Sequence, residues 1–155
     1  MAVKAKNRHQ ARNDCLSKCR IVMHQSLILT RPPIYNAKGK LVRRAGKLGV
    51  GQPFQIFGVD IVRCIKTAHG ACYEASKIHL RDKETLTQRI TLHEKAIEQL
   101  RSILRQLDFC IFEYGTSKDK RKSFNYMGKI TNEAISSIYD RINRDNLIYK
   151  QKYQQ

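Results

Sequence analysis

DKETLTQRITLHEKAIEQLRSILRQLDFCIFEYG, residues 82–115, decides the fold. Leu86, Ile90, His93, Ile97, Leu100, Leu104, Leu107, Ile111 and Tyr114 follow one another in alternating steps of four and three. A stripe of that period predicts one long helix suited to left-handed bundle packing. Asp82 is placed to cap its start with help from Thr85, and Gly115 ends it as a C′ residue would. Ile103, Phe109, Cys110 and Phe112 widen the apolar face, enough to serve a core on one side and a subunit neighbour on the other.

Upstream, Phe54, Phe57, Ile61, Cys64 with Ile65, Ala68, Cys72 and Ala75 predict an amphipathic helix from Phe54 to about Leu80. Ala68, Gly70, Ala71 and Ala75 permit close helix approach. A first helix runs from about Asn13 to Leu29 on Cys15, Leu16, Cys19, Val22, Met23 and Leu27, with Asn13 or Asp14 as cap. Pro32-Pro33 stops it, because proline lacks the amide and disfavours helix in the residue before it. Downstream, Thr116–Lys122 reads as a loop and Ser123 as the cap of a fourth helix carrying Met127, Ile130, Ala134, Ile135, Ile138 and Ile142. The expected fold is all-α, an up-and-down four-helix bundle with short last connections. No strand is predicted beyond a short hairpin around Asn36–Lys40 with Leu41-Val42 as one flank. The expected organisation is a basic arm over 1–12, the bundle over 13–147 with a basic loop at 30–53, and a polar tail over 148–155 holding Tyr149 and Tyr153. The 155 residues fit one compact domain.

Charge is distributed unevenly along this frame. Residues 1–59 hold twelve Lys and Arg against Asp14 alone, whereas the remaining chain holds eighteen bases against twelve acids. A net charge of +17 and a sequence pI near 10.0 separate the chain from most metabolic enzymes and point to a polyanionic partner, nucleic acid first. No stretch reaches the run of about 18 apolar residues that spans a bilayer, and the start has no apolar secretory core, so the expected location is the cytoplasm with no membrane partner. The five cysteines, Cys15, Cys19, Cys64, Cys72 and Cys110, are odd in number and form no CxxC pair. They read as reduced core residues rather than a disulfide framework or zinc ribbon.

The candidate phosphate contacts fall into three groups. Segment 31–53 brings Arg31, Lys38, Lys40, Arg43, Arg44 and Lys47 with no acid, interleaved with glycines that let a backbone approach a phosphodiester chain. Its Gly46-Lys47-Leu48-Gly49-Val50-Gly51 run lacks the G-x-x-x-x-G-K-[ST] pattern, so nucleoside triphosphate binding is not expected. Arg63 with Lys66, and Arg101 with Arg105, share helix faces at spacings of three and four. Lys118, Lys120, Arg121 and Lys122 cluster at one end of the bundle. No catalytic constellation emerges. The histidines lack a second ligand at H-E-x-x-H spacing, Glu74 and Glu94 are followed at the third position by Lys77 and Ile97 rather than His, and no G-x-S-x-G occurs. His93, in the central stripe, reads as a hydrogen-bonded core or interface histidine. No enzyme activity, metal or cofactor is expected.

Three stretches carry a resemblance: Phe57-Gly-Val-Asp-Ile-Val-Arg-Cys-Ile-Lys66, Leu100-Arg-Ser-Ile-Leu-Arg105, and Ser123-Phe-Asn-Tyr126 after a short polar loop. Across roughly 54–145 the chain resembles the accessory variability proteins of diversity-generating retroelements, which are related to four-helix-bundle proteins encoded in ribosomal RNA intervening sequences. The resemblance implies a homopentameric barrel of four-helix protomers that binds a reverse transcriptase and its template-repeat RNA without chemistry of its own. Arg101 and Arg105 fall where that family carries helix arginines. The partners it implies are RNA or an RNA–complementary DNA duplex, the polymerase, and further copies of the chain. The basic arm and the 31–53 insertion depart from the family pattern. The alternative expectations are a structural ribosomal or other ribonucleoprotein subunit and a carboxylate-dependent bundle enzyme.

Overall fold

A computed structural model describes residues 8–154, with side chains described from Asp14 onward; residues 1–7 of the expected arm lie outside the described residues. Helix α1 spans Arg8–Thr30, so residues 8–12 form its first turns rather than an arm. A short antiparallel ribbon follows, β1 (Ile34–Tyr35) paired with β2 (Leu41–Arg43) with an irregular register. Helical turns at Gly51–Pro53 and Phe54–Gly58 run directly into Val59–Lys77, and we call the continuous rod α2. Helices α3 (Lys83–Tyr114) and α4 (Lys118–Tyr153) complete the chain. Helix α1 packs on α2 and α4, and α3 packs on the same two, so four helices enclose one core.

The core is what the helical stripes specify. Cys19, Val22, Ile61, Ile65, Leu100, Ile103, Met127 and Ile138 meet in one buried cluster. The small residues Ala68, Ala71 and Ala75 are buried on α2. All five cysteines are buried and unbridged.

Helix ends depart from the sequence reading in instructive ways. Asp82 and Thr85 do form a reciprocal capping box on α3, the carboxylate accepting from Thr85 N at 2.8 Å. The fourth helix, however, starts at Lys118, because Ser117 accepts from Lys120 N at 3.2 Å and Asp119 complements the first turn. Ser123 therefore lies inside α4, and the expected 116–122 loop shrinks to a tight corner. Gly115 keeps φ at −78° rather than the left-handed value of a C′ glycine. The expected polar tail is helical through Tyr153, whose hydroxyl donates to Leu80 O at 3.3 Å while its ring stacks on Tyr149.

Phe54–Gly58 is a π turn. Such a turn inserts one extra residue into the helical repeat and rotates everything before it out of phase. This is why Phe54, in register with the stripe by sequence, is exposed, whereas Ile61, Ile65, Ala68 and Cys72 are buried.

Candidate nucleic-acid interface

The basic segment between α1 and α2 is a tethered strap rather than a free loop. A helix leaves its last carbonyls without partners, and here the strap supplies them. Leu48 N donates to Leu29 O at 2.8 Å and Gly46 N to Arg31 O at 2.9 Å. Leu48 itself is 0% exposed and belongs to the central core. A Cβ at Gly46 would fall on the Ile28 and Leu29 carbonyls, and one at Gly49 on the Arg31 carbonyl. The sequence reading assigned these glycines to close approach of a phosphodiester chain; the close approach they serve is to α1.

Residues 34–43 stand off this strap as the ribbon. Its tip is built by Asn36, whose Oδ1 accepts from Lys38 N at 3.0 Å and Lys40 N at 2.9 Å. Gly39 holds the left-handed backbone that closes the turn, at φ +74°. Ile34, Tyr35, Leu41 and Val42 are all exposed.

The predicted cations divide by place and by partner. Lys38, Lys40, Arg44 and Lys47 are exposed along ribbon and strap, and none meets a carboxylate among the described residues. Arg31 and Arg43 are half-buried where the strap meets α1, each with Nε buried and unpaired among the described residues. Arg43 donates through its guanidinium to Pro32 O at 3.2 Å. Arg63 is paired with Asp60 at 2.8 Å, one turn back on α2, and Lys66 is exposed beside it. Lys118, Lys120, Arg121 and Lys122 stand on the first turns of α4. They begin four residues after Tyr114, which meets Phe57 of α2 edge to face at 5.9 Å. Arg101 and Arg105 lie on α3 away from the strap.

Two grooves accompany these groups. One, of about 480 Å³, runs between the end of α1 and the start of α2; Leu27, Thr30, Phe54, Val59, Val62, Arg63, Lys66 and Thr67 line it. The other, of about 540 Å³, lies between α3 and α4 and mixes Arg101 and Arg105 with Glu94 and Glu98. There Arg101 donates to the Tyr139 hydroxyl and lies 5.8 Å from its ring centre. Leu27 and Phe54 belong to the apolar stripes of α1 and α2 by sequence, yet both stand exposed at the first of these grooves.

A third polar cluster is internal. Asp145, 1% exposed, accepts from Arg89 at 2.9 Å and lies 3.5 Å from Arg141 Nε, joining the start of α3 to the end of α4. Arg89 also donates to Ile78 O at 3.3 Å. Burial pushes the Asp145 carboxyl up against the pull of both guanidinium groups, and burial pushes Arg141 down. His93 is buried nearby, held down to about 4 by burial and by the charges of Arg89 and Arg141. Its Nδ1 has no partner among the described residues, where a hydrogen-bonded histidine was expected.

Burial pushes the Cys15 and Cys110 thiols up to about 12, which keeps these two protonated and unreactive. The Cys19 contact at 4.0 Å, with burial, pushes Cys72 up as well. Among the described residues no three His, Cys, Asp or Glu side chains converge as metal ligands. No helix among them is long and apolar enough to cross a membrane. No protein-family model matches the chain, nor does any curated protein or solved structure.

Proposed function

We propose that this chain is a non-enzymatic RNA-binding subunit of a reverse-transcriptase ribonucleoprotein, the role implied by its resemblance to the accessory variability proteins. The observation that carries RNA binding is the set Lys38, Lys40, Arg44 and Lys47, exposed on the strap and ribbon with no carboxylate partner among the described residues. Counterion release drives the binding of such unneutralised cations to phosphates, and the buried Leu48 fixes the strap that bears Arg44 and Lys47, so ordering it on binding costs less. The polymerase partner rests on the resemblance alone.

In this reading the helices alternate up and down. Contacts between Phe57 and Tyr114, Arg89 and Asp145, and Cys15 and Ser137 support that order. It brings the 118–122 cluster to the same end of the bundle as the strap, so both grip one RNA. The outer face of α3 is the protein-contact surface, supported by Phe109 at 61% and Phe112 at 84% exposure. Three residues apart on one helix, the two rings are neighbours and form a contiguous exposed apolar patch of the kind that marks an interface. The homopentamer implied by the resemblance would use it.

Neutralising the exposed Lys40, Arg44 and Lys47 together tests the RNA reading. Binding to RNAs of any sequence should weaken, and the slope of log affinity against log salt should become shallower by about two for a single strand. Unchanged affinity and slope would remove the strap from the interface. A second reading, a structural ribonucleoprotein subunit, is favoured by the exposed apolar ribbon at 34–43, suited to threading into folded RNA. Light scattering separates the two: a monomer supports the second, a closed oligomer the first.

A further inference from the structure

We propose that the groove between α1 and α2 is a slot for one unstacked nucleobase of a single-stranded RNA whose backbone lies on the strap. The inference rests on the RNA reading above and names the form of nucleic acid and the residues that select it. The π turn lifts Phe54 out of the core, and its side chain lines the groove together with the apolar Leu27, Val59 and Val62. A volume of about 480 Å³ suits a small planar ligand. The rim is cationic: Lys66 has no carboxylate partner among the described residues, and no acidic side chain lines the groove.

An aromatic side chain, an apolar lining and an unpaired cation are the combination that holds a base by stacking and its phosphate by charge. The neighbouring strap supplies the continuation. Thr30 lines the groove, and its methyl group lies 3.2 Å from where a Cβ on Gly58 would stand; Leu48 O lies 3.0 Å from the same point. The strap bearing Arg44 and Lys47 therefore starts where the slot ends. The α3–α4 groove lacks this combination. Glu94 and Glu98 line it and would repel a phosphate, and Arg101 is already bound to Tyr139.

A paired base cannot leave its stack without cost, so the slot selects single strands. Fluorescence anisotropy on the full chain tests this with a short labelled oligouridylate, its abasic analogue of equal length, and an RNA duplex. The oligouridylate should bind roughly five- to 150-fold more tightly than the abasic strand. Phe54→Ala should abolish that difference, Phe54→Trp should keep it, and neither should alter affinity for the abasic strand. Lys66→Gln, at an exposed position, should weaken both strands alike and lower the salt slope by about 0.7.

Photocrosslinking a 4-thiouridine oligonucleotide, which needs no variant, should label α2 between residues 54 and 66. Equal affinity for base-bearing and abasic strands, an unchanged preference in Phe54→Ala, or tighter duplex binding would overturn the slot. If the strap variants still lose RNA, the general reading survives that result. Failure of the unmodified chain to bind any of the three probes overturns both. Displacement of the oligouridylate from the groove by an acidic peptide at lower concentration than by unlabelled RNA would reassign the groove to a protein partner.

Discussion

Leu48→Ala tests the idea that the basic strap is fixed by core packing. Leu48 sits in a segment that is otherwise largely exposed, yet its side chain is 0% exposed and its backbone amide caps α1. Removing three carbons from a fully buried leucine costs the lost transfer energy plus a cavity term, about 2–5 kcal/mol. The strap lies at the rim of the core, where surrounding chain can settle into part of the cavity, so a loss of about 3 kcal/mol is expected. At a urea slope of about 2 kcal/mol/M the unfolding midpoint then falls by about 1.5 M. In a thermal scan the same loss lowers Tm by about 6–12 °C for a domain of this size. Lys47→Ala, one residue away and exposed, serves as the control and should stay within about 0.5 kcal/mol. A Leu48→Ala loss below about 1 kcal/mol, or one no larger than that of Lys47→Ala, would refute the anchoring argument. Salt-dependent RNA binding measured alongside should weaken in Leu48→Ala although no charge is lost, because a released strap must be ordered again on binding.

Other features give sharp expectations. Gly46→Ala places a methyl group against the Ile28 and Leu29 carbonyls, so the strap must lift; a loss of about 2–3 kcal/mol by urea unfolding and new protease cleavage within 43–50 are expected. Asp145→Ala removes the oxygen that accepts from Arg89 and leaves that buried guanidinium without its side-chain partner, and thermal unfolding should register a loss of about 3–5 kcal/mol. His93 gives the protein an acid-sensitive stability. Above pH 6.5 it is neutral folded or unfolded; as pH falls towards about 4 only the unfolded chain gains the proton, which removes about 3 kcal/mol. Asp145, with its carboxyl pushed up, takes a proton in the folded state at the low end and offsets part of that loss. Urea midpoints across that range should flatten in His93→Leu. Phe112→Ser should leave stability unchanged and, where α3 is the protein-contact face, shift the mass in light scattering towards the monomer.

The sequence by itself determined the four helices, the composition of most of the core and the concentration of cations before residue 60. Helical periodicity is a local property: the stripe from Leu86 to Tyr114 can bury only one face, and Asp82 with Thr85 can cap only the end they precede. Charge is likewise countable without coordinates. What the tertiary structure decided is where those charges stand and what holds them. Leu48 looks like an incidental apolar residue in a basic loop until α1 presents uncapped carbonyls to it. Phe54 fits the α2 stripe until one extra residue in a π turn rotates it to the surface. Phe109 and Phe112 fit a widened stripe, yet the described helices bury neither. The union of Arg89, Arg141 and Asp145 joins residues far apart in sequence, and no spacing rule links them. Local patterns are set by neighbours along the chain, but phase slips, caps supplied from another segment and buried ion pairs exist only once distant segments meet.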